Sequence, residues 1–62
     1  MKIRINFKSG AVKYYKGKDR YGKIFFTTNE SEAKDYSPRA QGAMNQISNR
    51  ISATYGAECE YV

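Results

Sequence analysis

The fold is decided by residues 2–16, which read KIRINFKSGAVKYYK. Polar and apolar residues alternate strictly over the first seven positions of this stretch, which is typical of a strand with one buried face. Ser9-Gly10 follows as a two-residue turn, in which Gly10 adopts a positive φ. We therefore predict an antiparallel hairpin whose return strand covers residues 11–16.

The predicted register of this hairpin places Ile5 opposite Tyr14 and Phe7 opposite Val12, so that the apolar sides of the two strands coincide. The other face of the hairpin then carries polar and basic side chains and one tyrosine. Its members are Arg4, Asn6, Lys8, Lys13 and Tyr15.

Downstream of the hairpin, glycines bound the segment Gly17–Gly22, which is predicted to be a loop. Residues 23–28 are mostly β-branched or aromatic, so we expect a third strand there. Residues 57–62 alternate again and predict a fourth strand, which we place beside the first.

One helix is predicted between the third and fourth strands. Ser37-Pro38 is a typical helix start, with Ser37 as the N-cap and Pro38 at the first helical position. Apolar residues recur at helical spacing from Ala40 to Tyr55, and Gly56 is suited to the C-cap.

The order of elements is therefore β-β-β-α-β, and the expected fold class is α+β. We expect a single domain, residues 1–62, with a three- to four-stranded, mostly antiparallel sheet packed on one face by the helix. Hydrophobic residues make up 40% of the chain, which is enough for a thin core. A deep, buried pocket for a small-molecule substrate is not expected in a domain of this size.

The chemistry available to the chain is limited because the sequence contains no histidine. It therefore has no imidazole base and no histidine metal ligand. The acidic residues are expected at the helix entrance or on a solvated strand face, and no pair of them is expected to be catalytic. We expect a binding protein that is not an enzyme and uses no metal or other cofactor.

The single cysteine, Cys59, has no partner for an internal disulfide, which favours a reducing, cytoplasmic setting. No apolar run approaches the roughly 20 residues that span a bilayer, and the first residues do not resemble a signal peptide. The sequence therefore predicts a complete, soluble cytoplasmic protein that does not bind membranes.

Positive charge is concentrated in the N-terminal part of the chain. Residues 1–23 contain eight bases and one acid, a net charge of +7, whereas residues 24–62 contain three bases and five acids, a net charge of −2. A positive field of this size attracts phosphates, acidic proteins or anionic lipid heads, although it also serves solubility alone.

Adjacent phenylalanines in the third strand must point to opposite faces of the sheet. If Phe26 faces the helix, Phe25 joins Tyr15 on the outer, basic face. Rings for base stacking beside cations for phosphates are suited to binding single-stranded nucleic acid. The loop over residues 16–23 is a second candidate site, with further cations and Tyr21. The predicted binding residues are Arg4, Lys8, Lys13, Tyr15, Lys18, Arg20, Tyr21, Lys23 and Phe25.

Other interpretations of the same residues stay open. In one of them, Tyr15 and Phe25 only cover each other as an ordinary cross-strand pair, and the loop is only a solvated hairpin tip. Alternatively, the aromatic and basic face is a protein interface, either with another protein or with a second copy of the chain. The sequence does not decide between a monomer and a homodimer.

The layout from Tyr14 onward resembles that of small accessory proteins encoded by phages and prophages. The matching part is the run TTNESEAKDYS at residues 27–37, which follows a short basic hairpin and precedes one helix and a terminal strand. The helix departs from the usual charged one because it is rich in Asn, Gln and Ser. Some proteins of this kind inhibit host defence, as anti-CRISPR proteins do. The resemblance implies a phage origin and a bacterial host cytosol, and it transfers no functional residue.

We therefore predict a small basic protein that engages nucleic acid or a nucleoprotein complex through its basic aromatic face and loop. The alternative is a phage-encoded, anti-CRISPR-like inhibitor that binds a host defence complex by direct protein–protein contact.

Overall fold

A computed structural model describes all of residues 1–62. Four strands form one antiparallel sheet with the order β3-β2-β1-β4, and a single helix lies between the third and fourth strands in the chain. The α+β fold and the position of the last strand beside the first are as predicted. The elements are β1 (Ile3–Asn6), β2 (Val12–Lys18), β3 (Ile24–Thr27), α1 (Gln41–Tyr55) and β4 (Glu58–Tyr61), with 3₁₀ turns at Glu30–Glu32 and Pro38–Ala40.

The single helix is too short and too polar for a membrane-spanning segment.

The turn between β1 and β2 contains three residues, not the two that were predicted. The N–H of Phe7 donates to the carbonyl of Ala11 at 2.9 Å, and the N–H of Gly10 donates back to the carbonyl of Phe7 at 2.9 Å. Gly10 has a φ of 91°. These features define a tight turn at residues 8–10 that ends in a left-handed glycine, which is a common three-residue hairpin loop.

The extra turn residue moves the register of β2 by one position. Ile5 lies opposite Lys13, and Arg4 lies opposite Tyr14. Because side chains alternate between the two faces of a strand, a shift of one residue turns every side chain of β2 to the other face. Tyr15 therefore points toward the helix, and Tyr14 points away from it, which reverses the predicted assignment.

The β2–β3 hairpin closes with the same type of loop. The N–H of Asp19 donates to the carbonyl of Lys23 at 3.0 Å, and the N–H of Gly22, with a φ of 82°, donates to the carbonyl of Asp19 at 3.1 Å. The Asp19 carboxylate also accepts the backbone N–H groups of Tyr21 and Lys23, each at 2.9 Å. The loop is therefore a tight turn at residues 20–22, and the longer predicted loop from Gly17 was wrong.

A β-bulge lets β2 continue through Gly17. Tyr15 pairs with Phe26, but the next residue of β3, Phe25, pairs with Gly17, so Lys16 is an extra residue in β2. Gly17 has a φ of 150°, which is unfavourable for residues with a side chain. The bulge carries the strand to Lys18.

The helix packs on one face of the sheet. Its buried residues, Met44, Ile47 and Ile51, form the core with Ile3, Ile5, Tyr15 and Ala57. Beside them, the rings of Phe7, Phe26 and Tyr55 meet edge to face, with centroids 5.3–6.1 Å apart. Phe26 therefore points inward and Phe25 outward, as predicted.

The start of the helix differs from the prediction, whereas its end agrees. Ser37 makes no capping hydrogen bond through its side chain, and Pro38–Ala40 forms a 3₁₀ turn before the α-helix begins at Gln41. At the other end, Gly56 has a φ of 64°, and its N–H donates to the carbonyl of Ser52 at 2.9 Å. Gly56 is thus the predicted C-cap.

The segment between β3 and α1 crosses the end of the sheet where β1 begins. The N–H of Lys34 donates to the carbonyl of Tyr15 at 2.9 Å, and the N–H of Tyr36 donates to the carbonyl of Met1 at 2.7 Å. The N-terminal ammonium group lies 2.8 Å from the Asp35 carboxylate. These contacts place the ring of Tyr36 against that of Tyr15.

Candidate functional site

The sheet face opposite the helix carries a row of side chains across all four strands. Glu60, Arg4, Tyr14 and Thr27 are successive partners in this row. Arg4 Nε lies 3.5 Å from Glu60 Oε1, which also accepts a hydrogen bond from Asn6 Nδ2 at 3.2 Å. The charge of Arg4 is therefore largely offset by Glu60, and Arg4 lies beside the acidic strand rather than in a continuous basic face.

Tyr15 does not lie on the exposed face, which corrects its predicted role as a stacking surface. Its side chain is only 2% exposed, and its ring stacks on Tyr36 with centroids 6.4 Å apart. Burial, with a smaller contribution from Tyr36, raises the pKa of Tyr15 from 10.0 to about 12. Tyr15 is a core residue, and the cause is the shifted register of β2.

Lys8 and Lys13 are also displaced from the predicted face. Lys13 lies opposite Ile5, and its Nζ is 5.8 Å from the centroid of the Phe7 ring. The side chain of Lys8 lies along Gly56, so close that a Cβ added to Gly56 would be 3.4 Å from Lys8 Nζ. A cation at this position interacts favourably with the negative end of the helix dipole. Both lysines therefore belong to the helix side, at the opposite end of the sheet from the β2–β3 turn.

The other predicted residues come together on residues 16–25, which we call the basic hairpin. This segment carries four bases and one acid, a net charge of +3. The one acid, Asp19, is held inside the turn by two backbone N–H groups. The predicted residues that the hairpin contains are Lys18, Arg20, Tyr21, Lys23 and Phe25.

Two exposed aromatic rings on the basic hairpin each lie against a cation. Tyr21 is 79% exposed; the Arg20 guanidinium lies 4.9 Å from its ring centroid and donates to its hydroxyl at 2.9 Å. Phe25 is 42% exposed, and Lys23 Nζ lies 5.5 Å from its ring centroid. These rings offer apolar faces within a cationic surface, which is the combination that bases and phosphates require.

An open groove of about 330 Å³ lies at the bulge of the basic hairpin. Its lining residues are Lys16, Gly17, Lys18, Phe25 and Phe26. Lys16 belonged to the candidate loop over residues 16–23 but was not among the binding residues predicted from it; the structure places it at the bulge, in the lining of the groove. Lys16 Nζ lies 4.0 Å from Glu32 Oε1, at the limit of an ion pair between two solvated side chains.

The helix fixes the basic hairpin in place through Arg50. Its Nη2 donates to the carbonyl of Gly22 at 2.6 Å. The guanidinium is so close to the turn that a Cβ added to Gly22 would lie 3.4 Å from its Nη atoms. Arg50 was not among the predicted binding residues. Its contact adds one more cation beside the turn and joins the hairpin to the core.

Side chains that bind metals do not gather in this fold, since no group of three Cys, Asp or Glu residues is placed to hold an ion. Glu58 and Glu60 share the outer face of the edge strand β4. The thiol of Cys59 lies 3.9 Å from the carbonyl of Ser48, and burial raises its pKa, which favours the protonated form.

The chain matches no protein-family model, and comparisons with curated proteins and with solved structures find no significant match. Its function is therefore inferred from the basic hairpin.

Proposed function

We propose that this protein binds nucleic acid, alone or within a nucleoprotein complex, through the basic hairpin and without catalysing a reaction. The observation that carries the proposal is the placement of four cations and two exposed rings within ten consecutive residues, 16–25. Lysine and arginine neutralise phosphates, and exposed rings stack on bases. The hydrogen bond from Arg50 to the Gly22 carbonyl supports a hairpin that is ordered before binding, which lowers the entropic cost of binding.

The salt dependence of binding tests this proposal. If the four cations of the hairpin neutralise about four phosphates, the log–log slope of affinity against salt is about −3 for a single strand. The measurement is a fluorescence titration of labelled single- and double-stranded oligonucleotides at several salt concentrations. The double variant Lys18→Gln/Lys23→Gln is expected to bind more weakly, with the slope reduced by about 1.4.

The matched control is Lys8→Gln/Lys13→Gln, which removes the same charge from the helix side of the molecule. It is expected to change the affinity and the slope much less than the hairpin variant does. Equal losses for the two double variants would mean that binding follows net charge alone, and the assignment of the hairpin as the site would then be wrong.

A second candidate function is a phage-type inhibitor, anti-CRISPR-like in its action, that binds a protein of a host defence complex. The observation that favours it is the open edge of β3, whose backbone makes no hydrogen bonds beyond its ladder with β2. An open edge beside the exposed Phe25 is suited to pairing with an extended segment of another protein.

Affinity purification from nuclease-treated bacterial lysate separates the two candidates. A specific protein that is retained by the original chain, lost from Phe25→Asp and kept by Val12→Asp would favour the inhibitor. Val12 is a suitable control because it is also exposed, at 37%, and lies in β2 near the other turn. Loss of all partners after nuclease treatment would favour nucleic acid.

A further inference from the structure

We infer that the groove at the bulge is a binding site for one unpaired nucleotide, with its base on the Phe25 ring and its phosphate held by Lys16 and Lys18. This inference rests on the proposed function and names the part of the nucleic acid that the hairpin selects. It predicts a preference for single-stranded segments, because both faces of a base inside a duplex are covered by its neighbours.

The bulge creates the space for a base. The cross-strand partner of Phe25 is Gly17, so no side chain on β2 covers the phenylalanine ring from that position. A Cβ built on Gly17 would meet no atom within 4 Å, so the space beside the glycine is open. The lining of the groove therefore includes an aromatic residue beside a glycine that has no side chain.

The size and charge of the groove fit a nucleotide rather than a larger ligand. Its volume of about 330 Å³ is at the small end of the range for ligand pockets. Lys16 and Lys18 are on either side of Gly17, and Lys23 lies over the Phe25 ring. Two lysines in the lining and a third ammonium group against the Phe25 ring favour an anionic ligand with a flat apolar part, which describes a nucleotide.

The test compares two oligonucleotides of the same length and charge, one with bases and one abasic. Because the two differ only in their bases, a site that stacks a base is expected to bind the abasic strand at least fivefold more weakly. A duplex of the same length is also expected to bind more weakly than the single strand. This comparison needs no variant of the protein, so it does not depend on the folding of a variant.

Substitution of Phe25 then locates the stacking surface. Phe25→Ala is expected to reduce affinity for the base-containing strand at least fivefold and to leave affinity for the abasic strand nearly unchanged. Phe25→Trp keeps an aromatic face and is expected to retain binding. Val12→Ala is the matched control for loss of an exposed apolar side chain, and circular dichroism confirms that each variant is folded.

The outcomes separate this inference from the proposed function. Equal affinity for the abasic and base-containing strands, with binding that still depends on Lys18 and Lys23, would overturn the nucleotide site and leave the charge-based proposal standing. Weak binding of every oligonucleotide, insensitive to the hairpin lysines, would overturn both. A base-dependent affinity that Phe25→Ala does not change would place the stacking surface elsewhere and also overturn the site.

Discussion

Tyr15 is the one buried tyrosine among the six in the chain. Its folded-state pKa of about 12 lies above the ordinary value of 10.0, because burial disfavours the charged phenolate. The neutral form therefore stabilises the fold below pH 10. As the pH rises from 10 toward 12, the unfolded chain loses its proton first, and this contribution to stability is lost.

We expect Tyr15 to contribute about 2 kcal/mol to the loss of unfolding free energy between pH 10 and pH 12. Urea denaturation at a series of pH values gives the free energy of unfolding of the original chain and of Tyr15→Phe. The difference between their losses from pH 10 to pH 12 is the contribution of Tyr15. The variant is expected to show a flatter alkaline dependence. The control is the same pair of proteins compared between pH 7 and pH 9, where both states of Tyr15 are neutral and no difference in pH dependence is expected. An alkaline profile that is identical in Tyr15→Phe would contradict the burial of this phenol.

At the scale of elements, the two β-turns depend on glycines in a left-handed conformation. Gly10 has a φ of 91°, and a Cβ there would meet no atom within 4 Å. Gly10→Ala therefore tests backbone strain alone, and we expect it to lower the free energy of unfolding by about 1–2 kcal/mol. Denaturation by urea, with stability taken from the midpoint and slope, gives the comparison.

Gly42→Ala provides a control of the opposite sign. Gly42 lies in the first turn of α1, with open space where a Cβ would be. Since alanine favours the helix over glycine, this substitution is expected to raise stability by up to about 1 kcal/mol. A Gly10→Ala protein as stable as the original would be incompatible with the three-residue turn.

The β1–β2 turn at Gly10 separates the parts of the fold that the sequence predicted correctly from the register of β2, which it did not. The alternation in β1, the inward Phe26 and the C-cap at Gly56 each follow from a strong local pattern, and all three are present in the structure. The register of β2 was wrong because Tyr14 and Tyr15 are adjacent, so either face of this strand could be apolar. Ser9-Gly10 fits both a two-residue and a three-residue loop, and a difference of one residue reverses every side chain of the strand.

The candidate site was predicted in part for the same reason. The hairpin residues from Lys18 to Phe25 are close in sequence, so the turn brings them together whatever the register of β1 and β2. Lys8, Lys13 and Tyr15 depended on that register, and they were placed wrongly. The groove could not be predicted, because it forms where the bulge at Gly17 meets the neighbouring strand.

At the scale of the whole molecule, the positive charge of residues 1–23 does not form one field. Lys8 and Lys13 lie on the helix side, Arg4 is paired with Glu60, and the hairpin cations lie at the opposite end of β2. The acids Glu58 and Glu60 occupy the edge strand β4, at the other side of the sheet from β3. Within the sheet, the hairpin cations and these two acids therefore lie toward opposite edges, whereas Glu32 lies beside Lys16.

The basic hairpin is proposed to bind the partner, and backbone amide NMR checks this claim residue by residue. A ¹⁵N-labelled sample is titrated with a single-stranded oligonucleotide, and the chemical-shift changes are mapped on the sheet. We expect the largest changes at Gly17, Lys18, Lys23 and Phe25, with little change at Lys8. Changes centred on the β1–β2 turn or spread evenly over the chain, or none at saturating oligonucleotide, would contradict the claim.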